Sequence, residues 1–237
     1  MIKQSLLLIF PVLSLSLLIP VSAVFSQPVP AENFTLQGIL KIYKKGGKKT
    51  LRRFDNAVVY LEGISDSVPE QLAEVNQRKK KFHPRLLPVI QGQIVRFYNW
   101  DKVEHNVFST EEKNSFDLGR YPKEDFRDRP YLDPGLYKIY CNIHKAMILD
   151  ILVVPSRYFA VTNKKGEYQI KNVPAGEYTL KAWHIYGGSA ELPIVVKQDT
   201  NFEKIVLNST RVVHEIKNHL NKFGKKYKRS GSRYRGR

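Results

Sequence analysis

Tyr137-Lys-Ile-Tyr-Cys141-Asn-Ile-His144-Lys-Ala-Met147-Ile-Leu-Asp150 holds the chain's one cysteine and, six residues later, its one internal methionine, with a histidine between them at the spacing C-x2-H-x2-M. Three soft or borderline donors therefore share one short loop, in a chain that spends no other sulfur beyond its initiator methionine. Chance is a poor explanation for that concentration. Upstream, Asn99-Trp-Asp-Lys-Val-Glu-His105-Asn106-Val-Phe-Ser follows the strand-like Ile94-Val-Arg-Phe-Tyr98 and supplies a second histidine.

Two imidazoles, one thiolate and one thioether form a specific donor set. Zinc would want a fourth Cys, His or carboxylate, whereas a trigonal His2Cys plane with a weak axial Met suits copper in an electron-transfer site. The thiolate bonds covalently to Cu(II) and the thioether favours Cu(I), so one pocket can hold both oxidation states with little rearrangement. Taken singly, His105 also reads as a polar loop residue, Cys141 as a buried thiol and Met147 as core filling. The set of four on neighbouring loops points to copper.

The surrounding frame resembles the cupredoxins, the family of plastocyanin, azurin, pseudoazurin and amicyanin, from Pro69 to Pro155. It comprises Phe82-His-Pro84, Gly92-x-x-Val-x-Phe-x-Asn99, His105-Asn-Val-Phe and Pro134-Gly-x-Tyr-x-Ile-Tyr-Cys141. The loop spacing is most similar to amicyanin. That resemblance implies a Greek-key β-sandwich over residues 69–155 and one type 1 copper ion, with His105, Cys141 and His144 as equatorial ligands and Met147 as the axial one. It also implies that Asn106 hydrogen-bonds across to the cysteine loop. Prolines usual in amicyanin-like loops are missing here, and Lys145 stands beside His144, which suits an acidic redox partner.

Around this module, Gly166-x-Tyr-x-Ile-x-x-Val-Pro-x-Gly-x-Tyr-x-Leu180 alternates as strands with turns at Gly166 and Pro174 to Gly176. It resembles the carboxypeptidase regulatory-like domain, a transthyretin-like β-sandwich. Leu36 to Tyr43 and Asn56 to Gly63 look like its first two strands, which predicts a discontinuous domain over 34–63 and 157–208 interrupted by the copper module. The alternative is that these upstream strands extend the copper module's own sheets. His83 and His184 read as structural or solvated, and Glu111 to Arg129, rich in charge, reads as a surface loop. The regulatory-like part offers no Ser/His/Asp set, no framed pair of carboxylates and no phosphate loop, so the protein is not expected to be an enzyme.

With 42% hydrophobic and 26% charged residues, 13 Tyr and 12 Phe, wholesale disorder and a polytopic membrane protein are both excluded, and an all-β fold is expected. Lys3 followed by apolar Leu6 to Leu18 and small residues up to Ala23 reads as a secretory signal peptide over 1–26; it is short for a bilayer span and holds Pro11 and Pro20. The mature protein is then periplasmic or secreted, which argues against a nucleic-acid partner. Of the net charge of +17, the segment 211–237 carries +9, from ten Lys or Arg against Glu215. Val213, Ile216, Leu220 and Phe223 recur at helical spacing, predicting a short basic amphipathic helix ahead of a disordered tail, suited to an acidic partner or an anionic membrane surface. The expected function is single-electron transfer between redox partners, with copper handling, or a surface interaction module, as alternatives.

Overall fold

The computed structural model describes residues 32–52, 54, 56–111, 115–209 and 219–227. These residues form strands and, among them, no helix; none is long and apolar enough to cross a membrane as a helix. The expected signal peptide lies outside the described residues.

Period-two alternation sets the strands of the first sandwich. In β6 (Ile94–Asn99) Val95, Phe97 and Asn99 are buried while the residues between them reach solvent, and in β10 (Gly135–Tyr140) Tyr137 and Ile139 are buried. One sheet has the order β5 (Leu86–Ile90), β11 (Ile148–Val154), β10, β7 (His105–Ser109), β8 (Phe116–Tyr121). The other runs β4 (Lys81–His83), β3 (Ala73–Arg78), β6, β9 (Phe126–Pro130). Val75 and Phe97 from the second sheet share one core with Val107, Ile139 and Leu149 from the first.

A second sandwich has its own core, including Leu36, Leu61, Ile170 and Leu180. Its sheets are β13 (Glu167–Pro174), β1 (Asn33–Tyr43), β16 (Thr200–Asn208), and β12 (Phe159–Val161), β2 (Ala57–Glu62), β14 (Gly176–His184), β15 (Gly188–Val196). Among the described strands, those that pair with β1 and β2 all follow residue 158. The chain thus leaves this sandwich after β2, builds the first one, and returns at β12. Asp66 and Arg157, on the outgoing and returning connections, form an ion pair. Gly166 is needed at the turn into β13: its φ is +86°, and a Cβ there would lie 2.0 Å from the Leu40 carbonyl oxygen.

β11 is buried along its whole length because both of its faces are covered; its one charged residue, Asp150, pairs with Arg85 and Lys138. Leu149, Ile151 and Val153 enter the first core, while Leu152 and Val154 pack with Val58 of β2 and Leu86 of β5 where the two sandwiches meet. A strand covered on both faces reads as a continuous apolar run.

Two expectations are corrected. The charged stretch 111–129 is not a surface loop, since its described residues include β8 and most of β9. There the Arg129 guanidinium lies 4.1 Å from the ring centre of Phe116 and 4.8 Å from that of Tyr131, so a charged side chain covers aromatic faces that an apolar residue would otherwise cover. The amphipathic helix expected across 211–223 falls largely on 211–218, outside the described residues, and the described part is not helical. Asn221 Oδ1 accepts the N–H groups of Phe223 (3.0 Å) and Lys225 (2.9 Å), and Gly224 has φ +71°; this local bonding replaces the helical pattern, leaving Leu220 and Phe223 exposed.

Candidate metal centre

β10 and β11 pair antiparallel up to Tyr140 opposite Ile148, so residues 141–147 form the loop between them. The loop closes on itself: the Cys141 N–H donates to the Met147 carbonyl (3.3 Å) and the Met147 N–H to the His144 carbonyl (3.0 Å). The neighbouring strand β7 begins with His105. Its next residue, Asn106, accepts the Asn142 N–H on Oδ1 (3.0 Å) and donates through Nδ2 to Asp117 (2.6 Å) and to the Gly119 carbonyl (3.0 Å). Asn106 therefore ties β7, β8 and the cysteine loop together.

Cys141 Sγ lies 3.8 Å from His105 Nδ1 and 3.7 Å from His144 Nδ1, and the two imidazoles stand edge to face with ring centres 4.8 Å apart. One donor atom from each of the three residues falls within 4.8 Å of the others. Bond lengths of about 2.3 Å to sulfur and about 2.05 Å to nitrogen place two such atoms about 3.8 Å apart at a trigonal angle and about 3.6 Å apart at a tetrahedral one. Both sulfur–nitrogen separations, 3.8 and 3.7 Å, fall in the range that donors to one ion span. Met147 is fully buried in the same core as Cys141. The donor set fits a borderline, thiophilic ion such as copper.

Electrostatics prepare the donors. Burial holds the His105 imidazole below its usual pKa, against the pull of Asp101, and burial together with His105 pushes His144 down to about 4. Both rings are then neutral at neutral pH, the form that binds metal. Burial raises the Cys141 thiol, opposed by the backbone N–H groups of Asn106, Ile143 and His144 directed at the sulfur. Metal binding must therefore release one proton from this residue.

Asp101 was not among the residues singled out in the sequence. Its Oδ2 lies 2.8 Å from His105 Nε2, the ring nitrogen turned away from Cys141, and its two oxygens accept the N–H groups of Lys79 (2.6 Å) and Lys80 (2.7 Å). A carboxylate there fixes the tautomer that leaves Nδ1 free to bind. Its only sequence signal is an acidic residue in the loop that precedes a candidate ligand. The other two histidines singled out stand apart: His83 is exposed on β4, and the buried His184 accepts the N–H groups of Tyr186 and Gly187 on Nδ1 (3.2 Å each).

No family model and no curated protein matches the chain. Among solved structures it is similar to amicyanin from Paracoccus versutus, with 21% identity, 37% of this chain and 85% of that one covered, and a TM-score of 0.34. A purple cupredoxin from Nitrosopumilus maritimus aligns at 21% identity over 35% of this chain and 99% of that one, with a TM-score of 0.32. A copper-containing nitrite reductase from Thermus scotoductus aligns at 19% identity over 40% of this chain and 25% of that one, with a TM-score of 0.35.

Proposed function

We propose that the protein is an exported type 1 copper protein that carries single electrons between redox partners in the periplasm or outside the cell, and that it is not an enzyme. The observation that carries this reading is the trio His105, Cys141 and His144, whose sulfur lies 3.8 and 3.7 Å from the two Nδ1 atoms, the spacing of donors around one ion. Met147, fully buried in the same core as Cys141, would supply a fourth, thioether donor.

Bound copper would supply a one-electron Cu(II)/Cu(I) couple. The chain's own residues do the rest. His105 and His144 offer neutral Nδ1 atoms, Asp101 holds the His105 ring, and the thiol of Cys141 gives up its proton. Donors fixed by two strands and one hydrogen-bonded loop need little movement when the charge at the centre changes by one. His105 is fully buried whereas His144 is partly exposed and has the exposed Lys145 beside it, so His144 is the ligand through which electrons would pass to a partner. Lys145 and the basic residues near it suit an acidic docking face.

The test is to load the purified full chain with Cu(II) and cycle it with ascorbate and ferricyanide. One copper per chain and an intense visible band that bleaches and returns over repeated cycles are expected. Copper that leaves to a Cu(I) chelator on the first reduction would replace this reading with copper handling. A chain that binds no copper would replace it with a surface interaction module.

The carboxylate under His105 carries its own expectation. Asp101→Ala should weaken copper binding by about 10- to 100-fold, the range associated with loss of a partner behind a ligand. Competition against a chelator of known affinity measures it, and an unchanged affinity would remove Asp101 from the site.

A further inference from the structure

The described C-terminal segment 219–227 returns across 74 or more residues of sequence to the loop that carries Cys141 and His144. Three of its contacts fall on backbone carbonyls of that loop. The Tyr227 hydroxyl donates to the Cys141 carbonyl (2.8 Å). The His219 N–H donates to the Lys145 carbonyl (3.1 Å), and its Nε2 lies 3.3 Å from the His144 carbonyl oxygen. The His219 ring stacks on Tyr140, the residue before the cysteine, with centres 4.5 Å apart. Between these anchors the Lys222 N–H donates to Asn142 Oδ1 (2.9 Å), and Lys222 Nζ pairs with Asp117 (2.5 Å).

Those last two bonds close a ring. Asp117 accepts from Asn106, Asn106 accepts from the Asn142 N–H, and Asn142 accepts from Lys222, whose ammonium returns to Asp117. The tail thus joins the same network that ties the first histidine's strand to the cysteine loop. Without it, the carbonyls of Cys141 and Lys145 would exchange these donors for water, and the loop would keep its own internal bonds and those to Asn106. A loop fixed from outside as well as from within holds its side chains more narrowly.

We propose that the segment 219–227 is a clamp on the ligand loop, in which Tyr227, His219 and Lys222 are positioning residues for the copper site rather than a free docking tail. Its bearing on copper rests on the function proposed above, whereas its bearing on the loop does not. The clamp is built from three unlike contacts, a hydroxyl on a carbonyl, a stacked imidazole and an ion pair, so each can be removed separately.

The experiment uses the full chain with Tyr227→Phe, His219→Ala and Lys222→Ala, alone and combined, and Lys222→Arg as the conservative variant. Release of copper to a chelator should be about tenfold faster in the combined variant, with a shifted reduction potential and unchanged far-ultraviolet circular dichroism. Lys222→Arg, which keeps the pair with Asp117, should retain the slow release of the parent. Hydrogen exchange at Asn142 and Met147 in the metal-free chain should rise about tenfold in the combined variant. Unchanged exchange, or unchanged copper release and potential in a coloured variant, would overturn the clamp. A colourless parent whose exchange at these amides still rises in the variants would sink the copper reading and support the clamp.

Discussion

Cys141→Ser is expected to abolish the intense visible band of the copper-loaded protein. The band belongs to charge transfer from the thiolate, and a serine hydroxyl at neutral pH is neither ionised nor soft. His105 and His144 remain in the variant, so some Cu(II) binds through nitrogen with a weak, pale spectrum and an affinity lower by orders of magnitude. The pH dependence separates this from a general loss of order. In the parent the buried thiol, raised by desolvation, must lose a proton when copper binds, so apparent affinity should increase about tenfold for each pH unit below the thiol pKa. Neither imidazole adds to that slope near neutral pH, because burial lowers both and His144 titrates at about 4. The serine variant, with no thiol to ionise, should show a much smaller slope than the parent between pH 6 and pH 8, about one unit either side of neutrality. If Cys141 were only a buried core thiol, the substitution would lower stability by about 1–3 kcal/mol and leave copper binding as it was.

Sequence and structure agree best where the signal is local. Cys141, His144 and Met147 share one loop, and seven residues between paired strands leave those side chains few places to go. The alternation Tyr168, Ile170 inward and Glu167, Gln169, Lys171 outward made the start of β13 equally plain, because a half-buried strand writes its two faces into the sequence. Reading failed where a strand's charges cover aromatic rings, as Arg129 does, since the alternation of acid and base through β9 looks like solvent-exposed chain. It failed also for contacts made at long range. Nothing near Leu220 or Phe223 says that Tyr227 will reach the carbonyl of Cys141, 86 residues away; the helical spacing of the tail's apolar residues is a local pattern that Asn221 and Gly224 override. Asp101 lay inside the quoted stretch, but its contact with His105 depends on how the loop folds back, which spacing alone does not determine.

The second large effect concerns how the two cores are linked. Phe97→Ala empties a fully buried position between the two sheets of the copper-site sandwich and should lower stability by about 3–5 kcal/mol; Leu180→Ala does the same in the other core and should lower it by about 2–5 kcal/mol. Copper binds only the native arrangement of His105, Cys141 and His144, so loading should recover the loss in the first variant by mass action. Whether it also recovers the loss in the second depends on β11. This strand places Leu149 and Ile151 in one core while Leu152 and Val154 pack against Val58 of the other sandwich. Separating the sandwiches would expose that second face, and the chain passes between them twice, at connections joined by Asp66 and Arg157. The two sandwiches are therefore expected to unfold together: a single denaturation transition in both variants, each shifted upward by copper. Two transitions, with copper moving only the one lost in Phe97→Ala, would show instead that the shared face of β11 is too small to couple them.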